Sequence, residues 1–300
     1  MSRWLVGNYF ALPRTTGLRM RCEIFHYIYG FDREIFSNNS AMWHGRIAYK
    51  NAILSARSKY EAVFNPAIKK ISSFEQSPLK NLDRGGGSSL AYRFTPGKSP
   101  GIMFIPGYMS NMNGGKALAL EKYSKENGHS FVRFDYQTED FSINPVKTVQ
   151  TCIGDCLAVF DRLTQGPQYI VGSSMGTCMM LLLALERPER IVGLIGVAAF
   201  TAFPKHNQIA DTLMQAEDLM KYQSMLLGDS INITCPVRLI HGMDDDTVPS
   251  ESSLDIARRL KSNDVDVILR KCGKHRMSTD RDLDLLIQTL DQLIRHSAKL

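Results

Sequence analysis

The chain has 300 residues, 44% of them hydrophobic and 22% charged, with 22 Gly and 12 Pro. That usage is ordinary for a globular protein and excludes a disordered, collagen-like or coiled-coil chain, while the length suits one large α/β domain or two small ones. The net charge of +6 lies wholly in residues 1–84, with 13 Lys/Arg against 6 Asp/Glu; residues 85–300 balance at 23 against 24, so no basic patch for nucleic acid is expected on the body.

The longest apolar stretch, residues 191–200, is well short of the roughly 18 residues that cross a bilayer, so no integral membrane segment is expected. Six Cys in a chain of this size do not make a disulfide framework. The closest pair, Cys152 and Cys156, is spaced for one helix face and forms no CxxC motif, which reads as reduced thiols in an intracellular compartment.

Residues 1–22 carry Arg3, Arg14, Arg19 and Arg21, several hydroxyl residues and no acid, the composition of a mitochondrial transit peptide. The alternative is a basic N terminus without an address. Residues 23–84 form an extension of open role, with one helix over 47–63, and the run Arg84-Gly-Gly-Gly-Ser-Ser89 reads as a flexible linker. The regular body of the chain is therefore placed at 85–300.

From there the pattern is regular. Strands are predicted over 90–94, 101–105, 130–135, 168–171, 191–198, 237–241 and 265–270. Helices are predicted over 116–127, 145–164, 175–186, 254–260 and 280–294. Short apolar strands alternating with helices imply βαβ units and a mostly parallel sheet flanked by helices. Residues 200–229 contain no strand and read as a short helical cap inserted above the sheet.

Chemistry concentrates in Tyr169-Ile-Val-Gly-Ser-Ser-Met-Gly176, which contains Gly172-x-Ser174-x-Gly176 between a strand and an apolar helix. About 0.1 such matches arise by chance in this length, so the flanking strand and helix matter. The pattern is that of a nucleophile elbow, in which glycines let the strand turn sharply and lift a Ser hydroxyl to a helix N terminus. Ser173 lies one position early.

A hydroxyl needs a base, and the base an orienter. On an elbow these follow in the order Ser, acid, His. The acid lies in His241-Gly-Met-Asp-Asp-Asp-Thr-Val-Pro249, where the spacing Asp-x-x-Val-Pro selects Asp245; Asp244 and Asp246 are neighbours that cap the loop or the next helix, and His241 anchors the loop. The base is His275, directly after a strand, in preference to His296 near the chain end. Oxyanion donors are expected from the backbone N–H of Met175 and, after Ile105-Pro-Gly107, of Tyr108. No HExxH, GxxxxGK[ST] or strand-linked GxGxxG occurs, so neither a metal nor a nucleotide cofactor is implied. The cap carries Met214, Met220 and Met225 at helix-like spacing, suited either to a flexible acyl chain or to burying the cap's own core face.

The strings SPGIMFIPGYMSNMNGGKALAL, FVRFDY, GPQYIVGSSMG, RPERIVGLIGVA, CPVRLIHGMDDDTVP and DVDVILRKCGKHRM carry a resemblance over residues 90–294. The chain resembles a mitochondrial branch of the abhydrolase-domain family, α/β-hydrolases that act as palmitoyl-protein thioesterases and acyl-glucuronide esterases. The resemblance implies an α/β-hydrolase fold, with nucleophile, acid and base on Ser174, Asp245 and His275, and hydrolysis in mitochondria without a cofactor. Its substrates would be S-acylated proteins and small acyl esters. A small-ester carboxylesterase and an inactive binding module remain as alternatives. The oligomeric state is not legible.

Overall fold

Strands built from unbroken runs of Val, Ile, Leu and Phe, such as GIMFI and QYIVGS, have no polar face to turn to water, so they must be covered on both sides. The computed structural model describes residues 75–137, 145–200, 226 and 228–297, all within the unit Lys59–Leu300. The strands are β1 (Leu79–Gly85), β2 (Ser88–Thr95), β3 (Lys98–Ile105), β4 (His129–Phe134), β5 (Gln168–Ser173), β6 (Ile191–Val197), β7 (Val237–Gly242) and β8 (Val265–Arg270). The helices are α1 (Gly115–Asn127), α2 (Pro145–Leu163), α3 (Met175–Glu186), α4 (Glu251–Arg259) and α5 (Asp280–Ser297).

The eight strands form one sheet in the order β1-β2-β4-β3-β5-β6-β7-β8. Pairing is parallel from β4 through β8 and antiparallel at β1/β2 and β2/β4, so β2 alone runs against the rest. The mostly parallel sheet expected from the sequence is therefore present.

Alternate residues of one strand feed opposite cores, as the two-residue period requires. Met103 and Ile105 of β3 join a cluster with Cys156 and Phe160 of α2, Met179 and Leu183 of α3 and Ile256 of α4. Ile102 and Phe104 join one with Ala117 and Leu120 of α1 and Leu286, Leu290 and Leu293 of α5. Helix α3 (MGTCMMLLLALE) is apolar on every side and is buried along nearly its whole length, the environment such a helix demands.

One expectation is corrected. The stretch 84–89 is not a flexible linker but the turn of a hairpin in which β1 pairs with β2 from Leu79↔Arg93 to Gly85↔Ser88. Gly85, Gly86 and Gly87 take φ of 81°, 61° and 78°, the left-handed backbone that a tight turn needs and that glycine adopts without a steric penalty. The boundary placed at 84/85 consequently falls inside a hairpin. Residues 75–84 belong with the sheet; the Ser77 N–H donates to Glu121 Oε1 of α1 at 2.6 Å, and the Ser77 and Thr95 hydroxyls are 2.7 Å apart.

Several expectations fall outside the described residues: the transit peptide at 1–22, the extension up to 74, and the cap face of Met214, Met220 and Met225. No helix among the described residues is long and apolar enough to cross a membrane.

Candidate active site

The C-terminal ends of the parallel strands are where βα loops converge and where open α/β sheets place ligands. Four loops meet there. At the end of β5 the ladder continues one residue into the turn, with Ser174 N–H donating to the Val197 carbonyl at 2.8 Å. Ser174 then takes φ 54°, ψ −121° before α3 begins, a conformation L residues adopt only when their surroundings force it.

The surroundings are backbone. A Cβ on Gly172 would stand 2.4 Å from the Gly176 carbonyl oxygen, and one on Gly176 would stand 2.3 Å from that of Ile105. Both glycines of the motif are thus dictated by strand-to-helix contact. Gly107, in the loop after β3, sits as closely: its Cβ would lie 2.8 Å from the Ser173 carbonyl oxygen and 3.2 Å from Ser174 Cβ.

The loops after β7 and β8 are brought together in the same way. A Cβ on Gly242 would be 2.2 Å from the Gly273 carbonyl oxygen, and the amide of Asp244 donates to that oxygen at 3.0 Å. This contact carries Asp245 to His275, 30 positions along the chain. His275 Nδ1 lies 2.8 Å from Asp245 Oδ2, and His275 Nε2 lies 3.0 Å from Ser174 Oγ. The three residues expected from sequence therefore meet in the expected order.

The ring nitrogen beside the carboxylate carries its hydrogen, which leaves Nε2 free to accept from the Ser174 hydroxyl. The Asp245 side chain is sealed from solvent, while that of His275 is 22% exposed. Burial alone would raise the Asp245 carboxyl. Hydrogen bonds from His241 and His275 and from the Val248 and Thr247 amides outweigh it and hold the group well below the usual carboxylate range. Those amides donate to Oδ1 at 2.8 and 2.9 Å.

Asp244 and Asp246 are exposed, and Asp246 accepts from the Thr247 hydroxyl within the loop at 3.3 Å. His296 is exposed near the end of α5. Of the expected oxyanion donors, Met175 is 4% exposed at the start of α3 and Tyr108 is half-exposed directly after Gly107. Among the described residues no group of three or more His, Cys, Asp or Glu is placed to hold a metal ion.

Comparison with known proteins agrees with this architecture. The prolyl oligopeptidase family matches residues 146–283, from α2 into α5. Human "palmitoyl-protein thioesterase ABHD10, mitochondrial" is 41% identical over 250 residues, covering 73% of this chain and 81% of the relative. The mouse protein of the same name is 41% identical over 249 residues, covering 73% and 84%. The solved mouse structure, alpha/beta hydrolase domain-containing protein 10, superposes with a TM-score of 0.63 at 39% identity over 73% of this chain and 99% of its own. The chain belongs to the ABHD10 family of α/β-hydrolases. The mitochondrial location expected from residues 1–22 is the one those relatives carry in their names. A putative hydrolase from Agrobacterium vitis, 22% identical with a TM-score of 0.61 over 73% of this chain and 98% of its own, shares the fold.

Two contributions to this ABHD10-family site are not legible in the motifs. Tyr136 OH donates to the Pro106 carbonyl at 3.1 Å, and burial pushes its hydroxyl well above the ordinary tyrosine value, so it stays a donor. It thereby fixes the peptide that enters Gly107. Ser253 of α4 is the second, since its Oγ lies 2.7 Å from His241 Nδ1. Tyr136 is visible in sequence only as the aromatic after a strand, and Ser253 only as one of several serines opening a helix.

Proposed function

We propose that this chain is a serine hydrolase that cleaves acyl thioesters and esters through an acyl-enzyme, removing acyl groups from S-acylated cysteines of mitochondrial proteins and hydrolysing small acyl esters such as acyl-glucuronides. The observation that carries the reading is the unbroken row from Ser174 Oγ to His275 Nε2 at 3.0 Å and from His275 Nδ1 to Asp245 Oδ2 at 2.8 Å.

In the first half-reaction Ser174 Oγ attacks the carbonyl carbon and its proton passes to His275 Nε2. The tetrahedral intermediate expels the thiol or alcohol, which takes that proton, and the acyl group stays on Ser174 as an ester. In the second half, His275 takes a proton from water, the hydroxide attacks the ester, and the carboxylic acid leaves as His275 returns its proton to Ser174. Asp245 holds the ring and balances the imidazolium formed in each half. No step calls on a cofactor.

The oxyanion falls to the amides of Met175 and Tyr108. Met175 opens α3, and the first amides of a helix have no acceptor within it and sit at its positive end. Gly107 lies against Ser173 and Ser174, which supports the amide that follows it, that of Tyr108, as the second donor. Donors of this kind contribute a few kcal/mol to the transition state. From the sequence pattern alone the acyl chain is assigned to Met214, Met220 and Met225, and the substrate class rests on what the relatives are named for.

The test compares the full chain and Ser174→Ala on a palmitoyl thioester, a short-chain thioester and a short oxygen ester. The long thioester should give the highest kcat/KM and the variant no turnover. Cleavage of the short oxygen ester alone would leave a small-ester carboxylesterase in its place.

A further inference from the structure

Asp245 is approached from two sides by the same pair of groups. On the outer side stand His275 and Ser174. On the inner side Ser253 Oγ lies 2.7 Å from His241 Nδ1, and His241 Nε2 lies 3.2 Å from Asp245 Oδ2 and 3.0 Å from the Val248 carbonyl. The inner pair is fully buried, His241 and Ser253 having no solvent exposure. Carboxylate and carbonyl oxygens both accept, so Nε2 carries the hydrogen, and Nδ1 pairs with the Ser253 hydroxyl. Two hydroxyl–imidazole arms therefore converge on one carboxylate oxygen.

The arms are not equivalent in use. Oδ1 is fixed by the Thr247 and Val248 amides, but among the described residues Oδ2 is aimed only by imidazoles, and one of these, His275, gains and loses a proton in every turnover. A ring that cycles its proton cannot also hold its own orienter still; the buried ring can. Sharing Oδ2 also withdraws negative charge from the side facing His275.

We propose that His241 and Ser253 are positioning residues of the hydrolytic reaction, an inner arm that holds Asp245 Oδ2 for His275 and tempers the charge His275 meets. This rests on the triad reading given above. Among the described residues, the titratable groups facing the inner ring are Asp245 and, across that carboxylate, His275. Asp244 and Asp246 on the same loop and Glu251 and Asp255 on α4 are exposed, and the β8 residue in register with His241 is Leu269.

The test uses the full chain with His241→Gln, which keeps an N–H donor near the position of Nε2, His241→Leu, which removes it, and Ser253→Ala. Steady-state thioester hydrolysis is measured across pH, with fluorophosphonate labelling of Ser174 alongside. His241→Leu should lower kcat by on the order of tenfold at unchanged KM and move the acid limb of kcat/KM to higher pH. His241→Gln should restore most of both, and Ser253→Ala should fall between. Folded variants with lowered melting temperature but unchanged kcat and acid limb would overturn the proposal and leave a packing role. Should His241→Leu not fold, unchanged kcat and acid limb in Ser253→Ala would overturn it equally. Failure of the wild type to label at Ser174 would remove the triad reading itself, a result distinct from a labelled wild type with unaffected variants.

Discussion

Arg133 Nε donates to Glu121 Oε2 at 2.7 Å, and neither side chain is exposed to solvent. The pair is tied to the loop that follows β3: Arg133 Nη1 donates to the Met112 carbonyl and to Asn113 Oδ1, while the Met112 amide donates to Asp135 Oδ1 at 2.6 Å. Arg133 Nη2 also reaches Gln76 Oε1 at 2.9 Å. One buried guanidinium thus joins the segment before β1 to the loop that holds Gly107 and Tyr108.

Removing one partner of a buried pair leaves the other charge uncompensated, so Glu121→Ala should cost about 3–5 kcal/mol in urea unfolding. Burial raises the Glu121 carboxyl, but the Ser77 amide and Arg133 outweigh it and hold it below its ordinary value. A lowered carboxyl gives stability that is full above its unfolded pKa of about 4.3 and is lost as pH falls through the lower folded value. Wild type should therefore lose unfolding midpoint on acidification below about pH 4 more steeply than Glu121→Gln; parallel curves would contradict the pairing.

The elbow glycines give a contrast in one residue type. Gly172→Ala and Gly176→Ala place a methyl 2.4 and 2.3 Å from carbonyl oxygens of the backbone, whereas Gly114→Ala meets its nearest oxygen at an ordinary 3.5 Å. The first two should fail to give soluble folded protein, and Gly114→Ala should melt near wild type. Normal folding of Gly176→Ala would mean the turn is looser than the packing requires.

Ser174 sits at φ 54°, where an L side chain costs of order 1–3 kcal/mol and glycine is at ease. Ser174→Gly should therefore raise the free energy of unfolding by about 1 kcal/mol after the chain entropy that glycine adds, while abolishing turnover. Ser174→Ala keeps the strain and should unfold like wild type. Equal stability of the Gly and Ala variants would show that the elbow stores no strain in this residue.

How far the sequence revealed all this depended on whether a feature was local. The elbow was legible because its glycines, its serine and the helix start lie within a few residues and obey one steric rule. Asp245 and His275 were legible because each directly follows a strand. The hairpin at 84–89 was misread because composition cannot tell glycines that loosen a chain from glycines that close a turn; only the Leu79↔Arg93 register decides it. The Gln76–Arg133, Ser77–Glu121 and Ser253–His241 contacts join residues 57, 44 and 12 positions apart, and no periodicity marks them.

Because Asp245 is held well below the ordinary carboxylate range, it stays ionised wherever the protein is folded near neutral pH. Activity on the acid side should then fall with the loss of a single proton acceptor, and log kcat/KM should rise with a slope of one along its acid limb. A slope of two would mean the acid titrates together with the base.

The central claim is that a covalent acyl group passes through Ser174. The most direct measurement is rapid-quench mass spectrometry of the full chain with a palmitoyl thioester, in wild type, Ser174→Ala and His275→Ala. A palmitoyl adduct on the peptide carrying Ser174 in wild type, appearing before product, and none in Ser174→Ala is the predicted result; His275→Ala should form it slowly if at all. Turnover in Ser174→Ala, or an adduct confined to another residue such as Ser173, would contradict it.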